Sequence, residues 1–182
     1  MSIKVLVPLA GGFEEIEAIT IVDVLRRAGI AVDVVSLDSL HVKGAHQIVV
    51  HADLFINQIN GVVYDAIVLP GGMPGSAHLR DSDLVLDFVR AVWTQGGHAC
   101  AICAAPIALH AAGLLDGVQA TSYPSFADQL SGAIYCEDEV VCDGRVVTSR
   151  GAGTALAFSF RLLEELDLAE QAAQLRKGML AE

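Results

Sequence analysis

Short apolar runs alternate with longer mixed segments along the chain. Ile3 to Leu9, Ala31 to Leu37, Asp65 to Leu69 and the run from His98 up to Cys103 are mostly apolar with little alternation. That pattern belongs to strands covered on both faces. Between them the apolar positions spread over helical spacings. Helices are predicted from Glu14 to Ala28 with Gly29 as the C′ residue, from Asp83 to Thr94 ahead of Gly96-Gly97, and from Pro106 to about Ala112. Two more cover Thr154 to Leu166 and Leu168 to Leu180. Val42 to His51 reads as a hairpin or strand pair, and Gln119 to Thr121 as a short strand. Val140 to Val147 reads as a hairpin with a two-residue turn at Asp143-Gly144. Strands alternating with helices predict an α/β fold with a mainly parallel sheet and helices on both faces.

Ligands in such sheets bind beyond the carboxyl ends of the strands. Three strands end unusually here: one in Gly11-Gly12 followed by Glu14, Glu15 and Glu17, one in Pro70-Gly71-Gly72, and one in Cys103-Ala104-Ala105-Pro106. A parallel sheet puts all three on one edge. Cys103 would sit in the turn ahead of a helix whose N–H groups favour a thiolate and lower its pKa. The competing reading is a buried structural cysteine, a common fate of free thiols.

Length and composition narrow this little. The 182 residues suit one domain spanning 1–182, and 53% hydrophobic with 18% charged residues describes a globular chain. The net charge of −11 argues against nucleic acid and anionic membranes as partners. Four cysteines predict free thiols in a reducing, cytoplasmic compartment. The run Val5 to Ala10 is too short, and too soon acidic, for an export signal, and no run reaches membrane-spanning length.

Acidic residues favour helix starts, which accounts for two of Glu14, Glu15 and Glu17. Glu14 and Glu17 share a helix face, so one of them can point into a pocket above the strand ends and act as a general acid or base. The N–H groups of Gly71 and Gly72 can approach a ligand closely, and with that of Ala104 can form an oxyanion hole. An ordinary loop is the alternative. Cys100 and Cys103 make a C-x-x-C, but Cys100 falls inside the strand, which weakens a redox or zinc reading. None of His41, His46, His51, His78, His98 and His110 lies in a metal-ligand pattern, so no metal is expected. The helix after Glu14 is apolar on more than one side. One side meets the sheet; the other meets either a second subunit, with Asp23 and Arg27 pairing across it, or the C-terminal helices.

Together these residues resemble the ThiJ/PfpI superfamily, in the branch of the parkinsonism-associated deglycase and its bacterial relatives. The resemblance rests on Gly12 to Glu17, Val22 to Gly29, Tyr64 to Gly72, Ala101 to Pro106 and Thr148 to Thr154, in the family's order over nearly the whole chain. It implies a flavodoxin-like sandwich and a homodimer packed through the first helix. It also implies that Cys103 is the oxidisable thiol, that Glu17 is the protonated carboxyl bonded to it, and that Gly72 and Ala104 supply oxyanion N–H groups. No cofactor is implied. The chain departs from the pattern where the human-type branch has Thr-His-Pro and this sequence has Ser122-Tyr123-Pro124, so no Cys–His pair is expected. Ala104 stands where protease-like members have histidine, which argues against peptidase activity. Met73-Pro74 after Gly72, and Ala152 in place of a common proline, reshape the pocket. Gly71, Tyr123 and Ala152 are the expected substrate contacts.

The expected activity is cofactor-independent conversion of a small reactive carbonyl, methylglyoxal or glyoxal, to the hydroxy acid, or removal of early glycation adducts. The alternative is a redox-responsive binding or chaperone protein that senses oxidants through a Cys103 sulfinate. A third reading is hydrolysis or hydration of another electrophile on the same thiol.

Overall fold

A computed structural model describes residues 3–181. In chain order the elements are β1 (Lys4–Leu9), α1 (Glu15–Arg27), β2 (Ala31–Ser36), β3 (His41–Lys43), β4 (Val49–His51), β5 (Leu54–Phe55), β6 (Ala66–Leu69), α2 (Gly75–Arg80) and α3 (Asp83–Thr94). They continue with β7 (His98–Ile102), α4 (Pro106–Ala111), β8 (Gln119–Ala120), β9 (Ile134–Tyr135), β10 (Val140–Asp143), β11 (Val146–Ser149), α5 (Ala155–Glu165) and α6 (Ala169–Gly178). The main sheet runs β10-β11-β7-β6-β1-β2-β5. Its pairs are parallel except β10 with β11. The fold is the expected flavodoxin-like α/β sandwich.

Strand alternation splits the core in two. Val5, Val7 and Leu9 of β1 join the layer under α1, α5 and α6. Leu6 joins Ile67, Leu69, Val89 and Leu109 in the layer under α2, α3 and α4. Each layer buries many branched aliphatic side chains at roughly 1.5–3 kcal/mol each, which fixes the register of the strands between them. Helix ends follow the sequence signals. Gly29, at φ +82°, follows α1; Ser82 Oγ accepts the Val85 N–H at 3.4 Å to open α3; Pro106 begins α4.

The structure corrects the sequence reading in several places. The two-residue turn of the C-terminal hairpin is Gly144-Arg145, because Asp143 pairs with Val146. Gly144 at φ +57° takes the first turn position, where a side chain is disfavoured. The short helix α2 and the two-residue strands β5 and β9 were not expected; such brief elements carry no periodicity to read. Helix α1 meets both the sheet and α5, so the C-terminal helices do cover it, yet Ile16 and Ile19 remain exposed. Asp23 and Arg27 pair with each other along the helix, at 2.6 Å, and both remain about half exposed. Among the described residues no helix is long and apolar enough to cross a membrane.

Candidate active site at the carboxyl ends of three strands

Strands β1, β6 and β7 are parallel neighbours, so their exits lie side by side, as the sequence predicts. Cys103 follows the last residue of β7 and has φ +63°. A non-glycine residue in this left-handed region costs about 1–3 kcal/mol and persists only where its surroundings enforce it. Two backbone bonds do so. The Cys103 N–H donates to Ser149 O at the end of β11 (2.9 Å), and the Tyr123 N–H donates to Cys103 O (2.8 Å). The backbone N–H groups of Gly72 and Ala104 point at the sulfur.

Of the two carboxyls that share a face of α1, the structure turns Glu17 inward. Glu17 is fully buried, and its Oε2 accepts the Gly71 N–H at 2.7 Å. Its Oε1 has no hydrogen-bond partner among the described residues, and the carboxyl faces the Cys103 thiol. The three groups converge tightly. A Cβ placed on Gly71 would stand 2.5 Å from both Cys103 Cβ and Glu17 Oε2. Gly71 therefore serves the site by carrying Glu17, while Gly72 and Ala104 direct their N–H groups to sulfur. Gly72, at φ +89°, is pressed against the Gly12–Glu14 backbone, and the Glu14 N–H donates to Gly71 O at 2.8 Å.

Burial pushes Glu17 up to about 7, against the smaller pull of the Gly71 N–H. The expectation of a lowered thiol pKa is corrected. Burial, and the charge of an ionised Glu17, push Cys103 up to about 12; the Gly72 and Ala104 N–H groups pull back by less. Helix α4 has only six residues and supplies few aligned peptide dipoles. The two groups are opponents: a charge on one raises the other. When the pair's remaining proton sits on Glu17, the repulsion disappears, and the carboxyl O–H becomes a donor toward sulfur. The sulfur then faces three donors, whereas an ionised Glu17 has two, the Gly71 N–H and the Cys103 S–H.

Glu15 departs from its expected role as a solvated helix-start acid. It is buried, at 4% exposure, and accepts the His46 N–H (2.7 Å), the Ile48 N–H (3.3 Å) and a His46 Nδ1 contact (2.9 Å). Burial alone would raise its pKa, but these bonds hold it below the ordinary carboxylate value. The exposed His46 is raised, first by that Glu15 bond and then by the charges of Glu14 and Glu15. Ligand atoms of Glu14, Glu15 and His46 lie within 4.8 Å of one another, but the Glu15 oxygens are already engaged by the hairpin. Sequence gave no sign of this tie, because its partner lies 31 residues away.

Tyr123 falls beside Cys103, and Ala152 follows the glycine that the Tyr123 ring approaches. Tyr123 reaches Cys103 through the backbone bond above, and its half-exposed ring lies against Gly151, next to Ala152. Ser149 and Thr154, not singled out from sequence, close that loop with a 2.6 Å hydroxyl contact. Met73 is exposed after Gly72. Cys100 is wholly buried within β7, so C-x-x-C is no redox pair. A cleft of about 450 Å³ opens at the opposite edge of the sheet, by Asp65, His98 and Asp167, away from these groups.

Comparison with known proteins agrees with the fold. Residues 3–165 match the DJ-1/PfpI family. The chain is 43% identical to protein dj-1beta of Drosophila melanogaster over 99% of this chain and 98% of that protein. The crystal structure of that relative covers 99% of this chain and 98% of its own, with a TM-score of 0.95. The oxidised DJ-1 of Toxoplasma gondii is 40% identical, with a TM-score of 0.94 over 98% of each chain. A protein of Caenorhabditis elegans described as glutathione-independent glyoxalase DJR-1.2 is 32% identical over 91% of this chain and 89% of its own.

Proposed function

Because the chain belongs to the DJ-1/PfpI family, we propose that it is a cofactor-independent cysteine enzyme that converts α-oxoaldehydes such as methylglyoxal and glyoxal to hydroxy acids, or removes early glycation adducts. The observation that carries this reading is the convergence at Cys103: a thiol held at φ +63°, two N–H groups on its sulfur, and a buried carboxyl beside it. The relative named as a glutathione-independent glyoxalase supports the same chemistry.

In the reaction we envisage, the Cys103 S–H proton passes to the Glu17 carboxylate as sulfur attacks the aldehyde carbon and a C–S bond forms, and Glu17 returns that proton to the new oxyanion before the next step. The new alkoxide takes the Gly72 and Ala104 N–H groups, which are in place before reaction. Glu17 then moves the proton from the former aldehyde carbon to its neighbour, which converts the hemithioacetal to a thioester without any external oxidant. Water cleaves the thioester, releases the hydroxy acid and restores the thiol. A carboxyl with a pKa near 7 can both take and give that proton at neutral pH. Tyr123, Ala152 and Met73 would line the substrate's path.

Production of lactate from methylglyoxal without glutathione tests the proposal. Turnover by the wild type and none by Cys103→Ser is expected; no turnover by folded, reduced wild type refutes it. The orphan Glu17 Oε1 favours a second reading, in which it binds a Cys103 sulfinate and the protein responds to oxidants. Ready sulfinate formation without aldehyde turnover would select that reading. A cytoplasmic setting and a homodimer complete the proposal. The dimer rests on Ile16 and Ile19 of α1, exposed beside Ile48 and Val49 of the hairpin that Glu15 ties to the helix.

A further inference from the structure

The cleft of about 450 Å³ lies where β1, β6 and β7 begin, at the end of the sheet opposite Cys103. Its size is that of a small-molecule site, about 300–1,000 Å³. The lining comes from Ile3 ahead of β1, residues 63–65 ahead of β6, residues 95–98 at the start of β7, and residues 165–168 between α5 and α6. The surface assigned to the homodimer is elsewhere. Ile16 and Ile19 lie in the first two turns of α1, which starts at the carboxyl ends of the strands, and Glu15 holds the hairpin tip at that same end. None of these residues lines the cleft. Its electrostatics have one sign. Among the described lining residues there is no lysine or arginine. Glu165 is spent on Arg161, at 2.7 Å. Asp65 Oδ2 accepts the Lys4 N–H at 2.8 Å, which leaves Oδ1 open, and Asp167 is exposed beside it in the lining. The backbone adds to the carboxylates. Helices α3 and α5, of 12 and 11 residues, both end here, capped by Gln95 and Leu166, and each brings the negative end of its dipole.

A single metal ion does not match this field. Among the described residues, no three ligand atoms drawn from Asp65, His98, Glu165 and Asp167 come within 4.8 Å of one another, as those of Glu14, Glu15 and His46 do. The negative groups are spread out and interleaved with apolar positions: Val63 precedes Asp65, and Leu166 and Leu168 flank Asp167. The complement is a cation spread in the same way. We propose that the cleft binds an aliphatic diamine or polyamine, with its methylenes against Val63, Leu166 and Leu168 and its ammonium groups at Asp65 and Asp167. An ammonium carries three donors on a compact charge, so each end can join a carboxylate to a helix-terminal carbonyl or to the His98 ring nitrogen. Anionic ligands such as phosphates and carboxylates are turned away by the same field. The lining residues come from four separate segments, so no spacing in the sequence announces them. The site is separate from Cys103 and does not rest on the proposed activity.

The test is titration of the reduced full chain with cadaverine, a five-carbon diamine, at low salt, followed by backbone amide resonances. Saturable shifts are expected at Gly96, Gly97 and Asp167, with none at Gly71, Gly72 or Cys103. Asp65→Asn keeps an acceptor for the Lys4 N–H and removes only the charge. It and Asp167→Asn should each weaken binding about twofold to fivefold, the worth of one exposed ion pair, and the double variant by about the product. Asp128→Asn, on the surface outside the cleft, should change nothing. Pentylamine, with one ammonium, should bind about fivefold more weakly, pentanediol should not bind, and added salt should weaken cadaverine. The amide spectrum itself shows that each variant is folded. No saturable shift by about 10 mM cadaverine overturns the proposal. So do shifts that survive the double variant, that pentanediol reproduces, or that Asp128→Asn reduces equally. Binding that appears only in a chain lacking residues 1 and 2 would make those residues the occupant and overturn it as well.

Discussion

Replacing Gly71 by alanine adds one methyl group where the surrounding atoms leave no room for it. The new Cβ would lie 2.5 Å from Cys103 Cβ, 2.5 Å from Glu17 Oε2 and 2.9 Å from Ile102 O. Ordinary carbon contacts stand at about 3.5–4.0 Å, so each neighbour would have to retreat by about 1 Å. Two of the three are held. Ile102 O accepts the Ala105 N–H at 3.0 Å, and Cys103 is fixed by Ser149 and Tyr123. Glu17 must therefore yield and give up its 2.7 Å bond to residue 71. Overpacking costs about 1–3 kcal/mol and a bond to a carboxyl group about 1.5–3, so the expected destabilisation is about 2.5–6 kcal/mol. Displacing the proton carrier by about 1 Å should also cost turnover about a hundredfold. Urea denaturation and lactate kinetics read the two effects. Gly11→Ala is the control, because nothing lies within 4 Å of its added methyl. Adding Glu17→Ala should relieve the clash and reveal a coupling of about 0.5–3 kcal/mol. A Gly71→Ala protein within about 1 kcal/mol of wild type and fully active would refute the argument that this convergence builds the site.

Three other tests probe separate parts of the argument. Glu17→Gln should lower turnover about 10²–10⁴-fold while Cys103 still reacts with iodoacetamide, and wild-type turnover should rise as pH rises through about 7, where the Glu17–Cys103 pair loses its first proton; unchanged kinetics would remove Glu17 from the chemistry. His46 is raised by Glu15, so the stability it adds is fully present below its unfolded pKa near 6.5 and is lost as pH rises through its higher folded value; thermal melts across that window should lose this dependence in His46→Gln, and persistence of it would assign it elsewhere. Ile16→Asp or Ile19→Asp should halve the sedimenting mass if α1 packs on its symmetry mate, and an unchanged mass, or a wild-type monomer, would end that reading.

The site was legible where strand exits carried unusual residues. Gly71-Gly72 and Cys103-Ala104-Ala105-Pro106 break apolar runs too short to be helices, and a parallel sheet has to align their ends. Helical phase could not choose between Glu14 and Glu17, three residues apart on one face; burial chose. Glu15 was illegible because a helix-start acid looks alike in water and under a hairpin. The thiol pKa failed for a related reason: the sequence shows the helix that would lower it, but not the buried carboxyl that raises it. The pairing of His41 with His51 depends on the register of a hairpin whose sequence carries no Asn-Gly or Asp-Gly signal.

Cys103 is gripped by main-chain atoms of Ser149 and Tyr123, and no side chain takes part in either bond. The thiol's place is thus insulated from what those positions display. A change of the Tyr123 side chain can alter what packs toward Gly151 while the main-chain grip on Cys103 stays as it is. Such a division between anchor and wall gives an inherited scaffold freedom to trade one electrophile for another by single substitutions, without first having to rebuild the reacting centre.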